Sequence, residues 1–150
     1  MPTLSHMLWF DTQAEEAANF YVNIFPDGKV TNVAKGPDGK AFSVNFSILG
    51  KDYIGLNGGP MFEFTEAFSI FVNVDGQEEV DKYWDALLAD GGAPGRCGWL
   101  KDKFGLSWQI IPKQLGECLG NSDPSKSAAA MTAMMSMSKL IVSELEEAVK

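Results

Sequence analysis

The sequence predicts an α+β fold: two modules, each a strand, a helix and three further strands, followed by a helical tail. Three observations carry this reading. The first is a faint internal repeat. Leu8 to Tyr21 reads LWFDTQAEEAANFY and Val72 to Trp84 reads VNVDGQEEVDKYW, each an apolar run, an Asp, a Gln, an acidic cluster and an aromatic pair. Asp11 and Gln13 recur as Asp75 and Gln77 at one constant offset, and Phe20-Tyr21 recurs as Tyr83-Trp84 after a slip of a single residue. A long period present only twice points to paired half-domains that enclose one site, not to a solenoid. The second observation is that the same order of strand, helix and turn signals follows each copy. The third is a change of character from Ser122 onward, where strand patterns give way to helical ones.

The elements follow in order. Ser5 to Phe10 is a short apolar, aromatic run and reads as the first strand. Gln13 to Ile24 is helical, with Ala17, Phe20, Tyr21 and Ile24 on one stripe, and with Glu15 and Glu16 in the first turn, where the helix dipole favours them. Pro26-Asp27-Gly28 ends it. Lys29 to Ala34 is a strand, Gly36-Pro37-Asp38-Gly39 a turn, and Ala41 to Leu49 a strand with Phe42, Val44, Phe46 and Ile48 on one face. Gly50-Lys51-Asp52 turns into a strand over Tyr53 to Asn57. After an aromatic linker, Phe68 to Val74 is a strand. Gln77 to Ala89 is a helix with Val80, Tyr83, Trp84, Leu87 and Leu88 as its apolar stripe, capped by Gly91-Gly92. Gly95 to Leu100 reads as a short strand pair or an irregular loop. Leu106 to Ile111 is the last strand, stopped by Pro112. In the tail, Asp123-Pro124 starts a helix with proline at its first position. Met131, Met134, Met135 and Leu140 form an apolar stripe, and Ser143 with Glu146 reads as a capping box for a final short helix. The expected organisation is a single domain over 1–150: module one at about 4–57, a linker at 58–67, module two at about 68–112 and the tail at about 121–150.

Composition narrows the function. The hydrophobic share of 45% suits a globular core. A net charge of −8 and a pI of about 4.5 argue against nucleic acid as a partner, because phosphate contacts need a basic surface. Cys97 and Cys118 lack metal-ligand spacing and read as reduced thiols of a cytoplasmic protein. No signal-peptide pattern opens the chain, and no run approaches the ~18 apolar residues of a membrane span. Membrane partners are not expected.

The ordered string LWFDTQAEEAANFY, FP near residue 25, LNGGP at 56–60, EEVDKYWDALLADGG and CGWLKDKFGLSWQIIP at 97–112 resembles the PhnB-like family, often catalogued as 3-demethylubiquinone-9 3-methyltransferase. That family lies in the vicinal-oxygen-chelate superfamily of glyoxalase I, bleomycin-resistance proteins and extradiol dioxygenases. The resemblance implies two βαβββ modules forming a cupped mixed sheet with helices on its outer face. It also implies a ligand or metal held inside the cup, and a homodimer that completes the cups.

Period-two alternation then assigns faces. Leu8, Phe10, Val72, Val74, Ile54, Leu56, Trp108 and Ile110 are expected to pack on the helices. Ser5, Met7, Trp9, Tyr53, Gly55, Asn57, Ser69, Phe71, Asn73 and Gln109 are expected to face the cup. The resemblance puts the metal-ligand positions of metal-using relatives near Ser5, Gly55, Ser69 and Gln109. Two hydroxyls, a glycine and an amide are poor donors for a divalent cation, so no metal and no other cofactor is expected. His6, the only histidine, is expected at the exposed end of its strand.

The expected site is therefore an apolar pocket lined by Trp9, Phe71 and Trp99, with Asn57, Ser69 and Gln109 as polar anchors. Its expected occupant is a small, partly aromatic molecule. Cys97 has no base or helix terminus beside it in sequence to activate it and is expected to be structural. Methyl transfer is not expected, because Gly58-Gly59-Pro60 does not form the glycine-rich strand-to-helix turn that a doubly wound nucleotide-binding sheet uses. The alternative is a metal-dependent enzyme of glyoxalase or dioxygenase type.

Overall fold

The computed structural model describes the whole chain, Met1–Lys150. It divides into two compact units, Met1–Phe64 and Thr65–Lys150. The first unit holds β1 (His6–Phe10), α1 (Ala14–Ile24), β2 (Lys29–Lys35), β3 (Ala41–Ile48) and β4 (Lys51–Asn57). The second holds β5 (Ser69–Val74), α2 (Gly76–Leu88), β6 (Ala93–Pro94), β7 (Trp99–Lys101), β8 (Ser107–Pro112), α3 (Lys113–Leu119), α4 (Pro124–Met135) and α5 (Val142–Ala148). Each unit is thus a βαβββ module, and the second carries the tail. The two sheets have matching orders, β1-β4-β3-β2 and β5-β8-β7-β6. In each, the first strand runs parallel to the last and the other pairs are antiparallel. The repeat in the sequence is a repeat of topology.

In module one, α1 presents Ala14, Ala17, Ala18 and Tyr21 to the sheet, all fully buried. Alanines allow a close approach, and Gly55 of β4 receives it: a Cβ added at Gly55 would lie 3.2 Å from Ala14 Cβ. This reverses the expected facing of β4. Gly55 is opposite Leu8 in the parallel register, so Tyr53, Gly55 and Asn57 lie on the helix side, with Ile54 and Leu56 on the other. Tyr53 is buried and stacks on Phe46 at 5.4 Å. Ile and Leu look like core residues and glycine does not, so side-chain hydropathy pointed the wrong way. The missing Cβ is what lets α1 sit down. The tight β3–β4 turn places Leu49 and Gly50 both at positive φ, 49° and 74°. The Asp27 carboxylate steadies it by accepting their N–H groups at 2.7 and 3.1 Å, which is the geometry of a two-residue hairpin loop.

In module two, Val80, Tyr83, Trp84 and Leu87 bury the inner stripe of α2, each contributing about 1.5–3 kcal/mol relative to exposure. Pro112 ends β8 but does not end regular structure. It is the N-cap of α3, a helix absent from the sequence reading. Ile111, Leu115, Cys118, Ala130, Met137, Leu140 and Leu145 form a second core under the tail. The apolar stripe expected of the tail is split: Leu140 is fully buried and Met134 packs against this core, whereas Met131 and Met135 stand 43% and 60% exposed. The N-cap of α4 is as expected, with Asp123 Oδ1 accepting the Ser125 N–H at 2.9 Å. The expected capping box of α5 does not form. That helix begins at Val142, two residues too early for Ser143 to cap it, and its first N–H donates instead to Gln77 Oε1 at 2.8 Å.

Candidate functional site

The β8 strand alternates as the sequence indicates. Trp108 and Ile110 point to α2, while Ser107 and Gln109 point away from it. The pairing register builds two rows across this helix-free face. Gln109 lies between Phe71 on β5 and Trp99 on β7, and Ser107 lies between Ser69 and Lys101. Phe71 is 51% exposed. Gln109 Nε2–H donates to Ser69 Oγ at 3.0 Å, leaving its carbonyl oxygen free of protein partners. Ser107 is 1% exposed, and its Oγ has no hydrogen-bond partner in the protein.

A groove of about 650 Å3 runs beside these rows, lined by Trp99, Lys101, Ser107, Pro94, Arg96 and Cys97 among others. Lys101 pairs with Glu66 at its edge, and that hydrogen bond, with one from the Glu66 backbone, holds the Glu66 carboxyl below the usual carboxylate range. The tail braces the loop that lines the groove. Cys97 N–H donates to Met137 O and Gly98 N–H to Ser138 O, both at 2.8 Å, while Ser138 Oγ donates to Gly95 O and Arg96 Nη2 to Met135 O. Gly98, at φ 86°, admits this close approach: a Cβ there would come within 2.8 Å of Ile111 Cδ1. The tail is itself clamped by repeat residues. Gln77 donates to Leu140 O and accepts from Val142 N, and Asp81 pairs with Lys139 at 2.8 Å.

The hairpin that carries Trp99 and Ser107 is organised by Asp102, which is 3% exposed. Its carboxylate accepts the N–H groups of Phe104 and Leu106 and the Trp108 indole N–H, at 2.9, 3.1 and 2.9 Å. The string KDKFGLSW is therefore a turn whose aspartate pins its own following strand.

Four of the six expected site residues, Ser69, Phe71, Trp99 and Gln109, share this face. The other two belong to module one. Trp9 faces away from α1 as expected, but its indole N–H donates to Gly59 O at 2.9 Å and its ring meets Phe62 edge-on at 4.9 Å, clasping the linker. Asn57 does not face that side. Its Oδ1 accepts the Ala14 N–H at 2.8 Å and its Nδ2 donates to Ala41 O at 3.0 Å, so the amide caps α1, whose first N–H groups lack a partner within the helix. A depression of about 1020 Å3 adjoins it, walled by Asp11, Glu15, Lys35 and Lys40. It is larger than the groove of module two, but Asn57 is already spent and no orphaned buried polar atom lines it. Ser107 and the loop before Trp99 escaped the sequence reading. The alternation of β8 could have found Ser107; nothing local marks the loop, which is shaped by the tail.

A metal does not fit the positions used by metal-binding relatives. Ser5 precedes β1 and is exposed, Gly55 lies under α1, and Ser69 and Gln109 bond to each other. No group of three or more His, Cys, Asp or Glu side chains converges anywhere. His6 is exposed, its ring 5.8 Å from that of Tyr53. No helix is long and apolar enough to cross a membrane.

Two βαβββ modules of this topology define the class: an α+β protein of the glyoxalase and bleomycin-resistance fold. Within it, the chain belongs to the family described as 3-demethylubiquinone-9 3-methyltransferase, whose model matches residues 2–111. Among solved structures, a PhnB protein from Bacillus cereus is 27% identical, with a TM-score of 0.68 over 74% of this chain and 99% of its own. The fosfomycin resistance protein FosX from Listeria monocytogenes, solved with Mn(II) and sulfate, is 20% identical, with a TM-score of 0.54 over 75% and 90%. A glyoxalase/bleomycin resistance protein from Albidiferax ferrireducens is 14% identical, with a TM-score of 0.50 over 73% and 97%. No curated protein matches the sequence. The whole tail lies beyond the family match.

Proposed function

We propose that the protein binds a small, partly aromatic molecule on the face of the module-two sheet away from α2, in the groove beside Trp99, without the help of a metal. One observation carries the reading: the Ser107 hydroxyl, enclosed in the groove floor, has no partner. A buried hydroxyl left unpaired costs about 1–3 kcal/mol, and such a cost persists at sites whose partner arrives with a ligand. Small-molecule sites use apolar walls with a few placed polar groups: Trp99 and Pro94 line the groove with Ser107, and Phe71, Ser69 and the free carbonyl of Gln109 stand on the adjoining strands of the same face. Relatives named for bleomycin resistance support a binding role by analogy of fold. The manganese of FosX is the analogy for the alternative, a metal-dependent enzyme, but the donors here do not favour it. Methyl transfer finds no support in two mixed sheets that lack a nucleotide-binding turn. The same proposal includes a homodimer, a cytoplasmic setting and no nucleic-acid or membrane partner.

The test is a thermal-shift screen of wild type and Ser107→Ala against aromatic and carbonyl-bearing metabolites. Removing the orphaned hydroxyl should raise the melting temperature of the free protein. It should also weaken the response to any ligand that stabilises wild type. A variant that melts lower, with ligand responses unchanged, would mean that Ser107 is a core residue and the groove is not the site.

A further inference from the structure

The charge of the groove, taken with the binding role proposed above, identifies the kind of ligand. Arg96 is the only arginine in a chain with 20 acidic and 12 basic residues. It takes part in no ion pair: its guanidinium makes one hydrogen bond, from Nη2 to Met135 O at 3.2 Å. The remaining guanidinium donors stay available at the rim. The other cation of the groove, Lys101, is already neutralised by Glu66. Of the charged residues lining the groove, Arg96 alone is uncompensated, in a protein whose surface is otherwise dominated by carboxylates. The tail holds it there, since Met135 O belongs to the last turn of α4 and the next residues pair with the groove loop.

We infer that the groove takes an aromatic carboxylate. The carboxylate pairs with the Arg96 fork, which matches its planar geometry. The ring lies against Trp99, over the floor that Ser107 helps to form. This assigns Arg96 as a specificity-determining residue, positioned by the tail.

The probe is 6-hydroxy-2-naphthoate, paired with its neutral carboxamide, titrated calorimetrically into the intact protein. The expected result is that wild type prefers the carboxylate by about tenfold or more, as a charge-assisted pair requires. Arg96→Gln removes that preference by weakening the carboxylate far more than the carboxamide, and Arg96→Lys restores part of it. Lys51→Gln, the same loss of charge in module one, leaves the preference intact. If both probes bind equally, Trp99→Ala weakens both and Arg96→Gln weakens neither, the charge assignment falls and the groove stands. If neither probe binds wild type at millimolar concentration, the assignment and the groove reading both fall.

Discussion

Two buried polar side chains in one hairpin are satisfied in opposite ways. Asp102 is fully used: its carboxylate ties two turn amides and the Trp108 indole. Ser107, a few residues on, has no partner. The first arrangement reads as stability and the second as function, since natural sites often trade one for the other. Asp102→Ala leaves those donors enclosed without an acceptor and should cost about 3 kcal/mol or more. The cost should appear as a lower urea midpoint with an unchanged m-value. A loss under 1 kcal/mol would mean that water replaces the carboxylate at no cost. Legibility in the sequence follows the same divide. Gln109 was legible because a polar residue inside WQII must find a partner or a ligand. Asn57 was misread because an amide before two glycines looks like a ligand anchor, when its two bonds fasten α1 to the sheet.

At the scale of elements, local pattern was readable wherever local forces decide. Strand alternation in β1, β5 and β8, the stripe of α2 and the Asp123 cap of α4 were legible, whereas the α1 stripe was half so: Ala17 and Tyr21 are buried as expected, but Ala14 and Ala18 take the places expected of Phe20 and Ile24. The β4 face was not, because it is set by the closeness of α1 over Gly55. The α3 helix was hidden behind Pro112, which starts a helix as readily as it stops a strand. The α5 cap was misplaced because its partner, Gln77, is supplied by α2. That clamp predicts a pH dependence. Hydrogen bonds from Lys139 and Gln77 hold the Asp81 carboxyl below the usual range. A carboxyl depressed on folding contributes stability above its unfolded value of about 3.9, and loses it as pH falls through the lower folded value. The attachment of the tail should therefore loosen in acid. Amide exchange at Val142 and Leu145, measured from pH 6 down to about 3 and corrected for intrinsic rates, should lose protection in wild type. In Asp81→Asn that loss should flatten. An identical pH profile in both proteins would remove Asp81 from the account.

For the whole molecule, duplication explains why the fold was legible: the same order of signals occurs twice, and each copy checks the other. The tail lies outside the stretch that the family model matches. Its inner residues brace the loop that lines the groove, and its outer residues Met131 and Met135 remain exposed apolar surface of a kind that marks association sites. The proposed homodimer should use them. Wild type should sediment at twice the 16.3 kDa chain mass, and Met131→Glu with Met135→Glu should shift it toward the monomer. A dimer unaffected by both charges would have to use another face, and a wild-type monomer would end the proposal.

The most direct test of the binding account uses the four tryptophans as reporters. Trp99 lines the groove, Trp9 clasps the linker in module one, and Trp84 and Trp108 are buried against the helix side of the module-two sheet. Their indole N–H signals can be followed by nuclear magnetic resonance as 6-hydroxy-2-naphthoate is added. The account predicts a saturable shift at Trp99 with Trp9 and Trp84 unmoved, and its loss in Arg96→Gln at the same ligand concentration. Saturation at Trp9 with Trp99 silent would contradict it.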